Sequence, residues 1–185
     1  MLFLRLLLGF APWLAFLIIA HGSLWRLKLG LVIALALSIV MAVTRLHRGI
    51  IMWVGLIFFS VAVVLVVLMQ APWMVRYMGV MASGALAIST WVSLLIRRPF
   101  TLDYARQHVD PLLWNDPRFL RINRQLTTAW GIAFTINALL AYGKMQRLGI
   151  GPLAYELLTY ACLISTALFT SWYPGHVRRR ARVQG

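Results

Sequence analysis

His108 stands five residues after Asp103 and two before Asp110, a spacing at which an imidazole and a carboxylate can share a proton and act as an acid–base pair on a polar headgroup. The surroundings argue against that chemistry. The sequence has no nucleophile elbow, no phosphate-binding glycine loop and no metal-ligand spacing. Four acidic residues and four histidines in 185 residues leave little material for a multi-ligand metal site or a buried proton relay. The expectation is a non-enzyme with no catalytic, metal-binding or cofactor-binding residue. Two further polar residues stand out. Asn137 is the one strongly polar amide deep in an apolar run, where an interhelical hydrogen bond is the simpler role than a substrate contact. Glu156 is the only carboxylate near its face, hence the only proton-coupling candidate there, and an ion pair with Lys144 or Arg147 accounts for it more simply. The single cysteine, Cys162, permits no intramolecular disulfide.

The elements that must position these residues are set by composition. With 62% hydrophobic residues, a mean hydropathy of +0.82 and 12% charged residues, the chain is not an ordinary soluble domain. The expected fold is an all-α, polytopic transmembrane bundle in one domain, 1–173. Its apolar runs are 2–20, 29–44, 50–69, 73–96, 126–145 and 153–173, about six spans, with five as the alternative because the second run is the weakest. The first run also has features of a secretory signal, but its length and the spans that follow favour a membrane helix.

Charge gives the expected orientation. One side collects Arg5, Arg45, Arg48, Arg97, Arg98, Arg106, Arg118, Arg121, Arg124 and the tail, 174–185, with Arg178, Arg179, Arg180 and Arg182; the other has only Arg26, Lys28, Arg76, Lys144 and Arg147. The positive-inside bias places both termini and the fourth loop in the cytoplasm, and the expected location is a bacterial inner membrane. Arg5 and Arg76 lie close enough to helix ends to reach the headgroups. The basic residues suit anionic phospholipids as partners better than nucleic acid, although the pI is about 11.6. Tryptophans near span ends, among them Trp13, Trp25, Trp53, Trp73, Trp91, Trp130 and Trp172, read as an aromatic belt.

Small residues at helical spacing nominate a packing face: Ser89 and Ser93 after Ala85 in the fourth span, then Gly131 and Thr135 after Thr127 in the fifth, with Asn137 close by. Ala161 with Ser165 and Thr166 with Thr170 extend it to the sixth. Ala11-Pro12-Trp13 recurs as Ala71-Pro72-Trp73, which is weak evidence for an inverted repeat of the transporter kind. The fourth loop, 97–125, is longer than a simple interhelical connection. From Thr101 onward, Leu102, Ala105, Val109, Leu112 and Leu113 share one arc, opposite Asp103, Arg106, Gln107 and Asp110; this predicts an amphipathic helix lying on the membrane surface. Asp116-Pro117 then carries a helix-start signal.

Phe10-Ala11-Pro12 with Phe16, Ser89-Thr90-Trp91-Val92 before Arg97-Arg98-Pro99, and then Trp114, Asn123, Trp130 and Phe134, together resemble the bacterial intracellular septation protein A family of small inner-membrane proteins. The chain departs from that pattern in a longer loop after Pro99, and in Ala141 where the family has a polar residue late in the fifth helix. The resemblance implies a role in cell division or envelope synthesis through protein partners, with no catalytic residues to carry over. The leading expectation is therefore a non-enzymatic protein that contacts other integral membrane proteins, alone or as a homo- or hetero-oligomer, through the fourth loop and the small-residue face. Two alternatives stand beside it. One is an accessory subunit of a respiratory or photosynthetic complex, which like the first predicts a packed interior. The other is a small transporter or lipid-handling protein, which predicts a polar cavity around Asn137, Ser89 and Ser93.

Overall fold

A computed structural model describes residues 8–44, 49–106 and 109–183, with side chains through Val177. The described chain is helical, with no strand. Its helices are α1 (Ala11–Ile19), α2 (Leu24–Val43), α3 (Ile50–Val63, continued by a π-helical turn, Val64–Leu68), α4 (Pro72–Leu95), α5 (Thr101–Ala105), α6 (Pro117–Met145) and α7 (Pro152–Val183). Five of them, α2, α3 with its π turn, α4, α6 and α7, are long and apolar enough to cross a membrane, so this is a multi-pass membrane protein. The span expected over 2–20 lies partly outside the described residues; its described part, 8–20, is helical at 8–9 and, after a turn at Phe10, through α1.

Local signals explain where the helices begin. Proline occupies the first turn of α1, α4, α6 and α7, where a missing N–H costs nothing. Asp116 caps α6 as expected, its carboxylate accepting from Arg118 N at 2.6 Å and Phe119 N at 3.0 Å. Ser23 does the same for α2 through Arg26 N, which starts that helix five residues before the expected run. The ends are less usual. α4 and α6 close with left-handed residues that are not glycine, Arg97 (φ 57°) and Arg147 (φ 56°). In each, the next N–H reaches back to the last turn, Arg98 N to Ser93 O at 2.9 Å and Leu148 N to Gly143 O at 3.0 Å.

The two Ala-Pro-Trp copies both open helices but occupy different environments, since Trp13 is buried and Trp73 exposed. Burial also corrects the belt reading for two tryptophans. Trp13 (6% exposed) and Trp130 (5%) are core residues, whereas Trp25, Trp53, Trp73, Trp91 and Trp172 face outward. Phe10 joins the core at its centre, stacked on Trp130 with ring centroids 5.4 Å apart and edge-on to Phe100 at 6.0 Å.

The fourth loop contains the expected amphipathic helix in shorter form, and its apolar side faces the protein. α5 ends at Ala105, and Phe100, Leu102, Tyr104 and Ala105 are buried in the end of the bundle. Beyond it Leu112 is 89% exposed, so the expected apolar arc does not continue as one face. Polar bonds fasten the plug. Thr101 Oγ1 donates to Asn123 O at 2.9 Å and meets Thr127 Oγ1 at 2.9 Å, while Phe100 N donates to Ser93 Oγ at 3.3 Å. Asp103 accepts from Ile50 N and thereby caps α3 from across the bundle.

Candidate functional site

The expected packing face is present in altered form. α4 and α6 form the most extensive helix pair. Their close approach is made at Gly131, where an added Cβ would come within 3.1 Å of the Trp91 ring and 3.3 Å of Thr90, and at Thr135, whose hydroxyl accepts from Trp91 Nε1 at 3.1 Å. Ser89 and Ser93 are buried, but their hydroxyls donate within their own helix, to Leu86 O at 2.9 Å and Thr90 O at 2.7 Å. On α7, Thr170 faces inward and accepts from Trp130 Nε1 at 3.0 Å, whereas Ala161 and Ser165 face outward. Asn137 corrects the expectation of an interhelical bond. It is 3% exposed, yet among the described residues neither end of its amide is hydrogen-bonded, and its Oδ1 is fully enclosed.

The reason lies beside it. α7 packs along α6 and meets the other helices only at isolated points, leaving a cleft bounded by α1, α4, α6 and α7, with the start of α2 at its outer end. The cleft has two contiguous lobes of about 400 Å³ and about 500 Å³. The outer lobe lies at the end of the bundle where α6 finishes and α7 starts, lined by His21, Lys144, Tyr155 and Glu156. The inner lobe is apolar and reaches Phe10, Trp13, Trp130 and Leu163. From Lys144 to Trp130 it follows α6 for roughly 20 Å, somewhat more than half the ~30 Å bilayer core. Ile18 (70% exposed), Ile164 and Leu168 line the inner lobe and still face outward, so it opens sideways between α1 and α7.

Seven residues line both lobes, and three of them form a polar waist: Ser83 of α4, Asn137 of α6 and Thr159 of α7. Counting turns from the helix ends at the outer lobe places all three at a similar depth, roughly 10–16 Å in. Among the described residues the hydroxyls of Ser83 and Thr159, like the Asn137 amide, make no hydrogen bond within the protein. Charge at the mouth is already matched. Lys144 Nζ and Glu156 Oε1 are 2.6 Å apart, the pairing expected from the sequence, and Tyr160 Oη lies 3.1 Å from His21 Nε2, tying α7 to the end of α1.

The predicted arginines gather elsewhere. Arg97, Arg98, Arg118, Arg121 and Arg124 are exposed where α4 ends and α6 begins, and Arg106 lies 5.3 Å over the Trp114 ring. That end is separated from the cleft mouth by roughly 35 Å of α6. The side chains of Arg178, Arg179 and Arg180, and the residues Arg5, Arg45, Arg48, Gln107 and His108, lie outside the described residues, so the acid–base pair is not placed. Among the described residues no group of three metal-ligating side chains comes together. Reasoning from sequence missed Ser83, Thr159, Tyr160 and His21 as site residues. Single hydroxyls in apolar helices carry no signal of their own, and only the convergence of three helices brings them together. No protein-family model matches the chain, and comparison with curated proteins and with solved structures finds no significant match.

Proposed function

We propose that this chain is a non-enzymatic membrane protein that binds or handles a lipid-like amphiphile in the cleft between α1, α4, α6 and α7. The observation that carries this reading is a laterally open apolar lobe that continues into a polar lobe at the bundle end. An amphiphile entering from the bilayer would place its tail along Phe10, Trp13 and Leu163 and its polar part toward the waist and mouth. A packed interior, the expectation for a pure contact protein or an accessory subunit, does not account for a cavity of this size. The orientation that fits the charge bias puts the cleft mouth on the periplasmic side of a bacterial inner membrane and the termini in the cytoplasm.

The test is purification of the full chain from its native membrane in mild detergent, followed by mass spectrometry of retained lipids. One class should be retained at near-stoichiometric amounts and should be depleted in Ala167→Trp, which puts an indole ring into the inner lobe. Retention of the bulk membrane composition by both proteins would refute the proposal. A second reading is carried by the exposed arginines at the opposite end. They suit anionic headgroups or an acidic partner protein, and it is here that the contact role implied by the septation-family resemblance would act.

A further inference from the structure

We infer that the amphiphile carries a small, uncharged head presenting carbonyl oxygens, and that Asn137, Ser83 and Thr159 read this head at the waist of the cleft. The inference rests on the amphiphile reading above and adds the class of ligand. Depth excludes a charged head at this level. Asn137 lies two helical turns, roughly 10 Å, inward of Lys144. A phosphate or ammonium carried that far into the apolar region is strongly disfavoured unless paired. The one cation in the cleft lining, Lys144, is already held by Glu156 at 2.6 Å, and both stand at the mouth rather than the waist.

Hydrogen-bond chemistry then selects the head. Oδ1 of Asn137 is enclosed and the residue lines both lobes, so the amide nitrogen is the end this side chain can offer to the cleft. Ser83 and Thr159 add two hydroxyls, each able to donate. Three groups able to donate, from three helices, line both lobes at similar depth, without acceptors of their own among the described residues. A buried polar group is stable when its partner is supplied, and carbonyl oxygens supply acceptors to all three donors. A quinone or ketone ring on a long apolar tail meets these demands. Phe10, Trp13 and Trp130 line the lobe beyond the waist and give an aromatic ring an aromatic surrounding.

The experiment compares three probes on the purified full chain by quenching of tryptophan fluorescence or direct equilibrium binding. The probes are a long-chain 1,4-benzoquinone, an alkylbenzene of the same chain length, and dioleoylphosphatidylglycerol. The quinone should bind at least tenfold more tightly than the alkylbenzene, and phosphatidylglycerol should not displace it. Asn137→Leu should bind both ring compounds but lose most of the difference between them. Equal binding of quinone and alkylbenzene, a preference for phosphatidylglycerol, or an undiminished difference in Asn137→Leu would overturn the inference while leaving an amphiphile cleft in place. Failure of all three probes to bind would remove both. Should Asn137→Leu not fold, the comparison of probes on the native chain still decides.

Discussion

Tyr104 leans on a glycine. An added Cβ at Gly9 would overlap the Tyr104 ring, which is fully buried. Gly9→Ala should therefore destabilise the protein by about 1–3 kcal/mol, as overpacking does, measured as a loss of thermal stability in detergent. Its neighbour Asp103 makes a different prediction. Burial raises the Asp103 carboxyl above its ordinary value of 3.8, opposed by the Ile50 N–H and by the charges of Arg106 and Arg98. A raised pKa means that the folded state holds the proton more tightly than the unfolded one. Stability from this group is therefore lost as pH rises from the ordinary value through the raised one. Asp103→Asn keeps an acceptor for Ile50 N and removes the ionisation, so its melting temperature should vary less with pH across that interval. Asp103→Ala should instead lose the cap, at about 0.5–2 kcal/mol.

At the scale of elements, the plug formed by α5 is the decisive piece of packing. Thr101→Val preserves shape but removes the hydroxyl that meets Asn123 O and Thr127 Oγ1. Leaving those groups without it should cost about 1–3 kcal/mol, and amide exchange should rise in α5 and at the start of α6. The plug also marks where the sequence stopped being informative. The long helices, the Asp116 cap and the Lys144–Glu156 pair depend on residues close along the chain or on runs of one character, and these were legible. An arc of Leu102, Ala105 and Val109 reads the same whether it lies on lipid or on protein, so the inward docking of α5 was not. Trp13 and Trp130 misled for a similar reason, because depth along a span does not say which side of the helix faces the core. The cleft was least legible of all. Its walls are mostly ordinary apolar residues from five helices, and it exists only because α7 stands away from α1 and α4.

For the molecule as a whole, α7 is a unit joined to the rest along one neighbour. Trp130 Nε1 and Thr170 Oγ1, 3.0 Å apart, are the buried polar link of that seam, with Lys144–Glu156 and Tyr173–Gln125 as exposed ones. Thr170→Val should leave the indole N–H unpaired at a cost of about 1–3 kcal/mol, and hydrogen exchange should accelerate across α7 while α2, α3 and α4 keep their protection. The attachment of α7 also bears on biogenesis. During synthesis the helices through α6 emerge before α7 and already contain the largest helix pair and the aromatic core around Phe10. The face of α6 that becomes the cleft floor meets the bilayer first, and α7 then closes over whatever lies against it. A molecule from the inserting membrane would thus already lie in the cleft when the last wall is built, so the first occupant in the newly made protein would come from the membrane in which it was made.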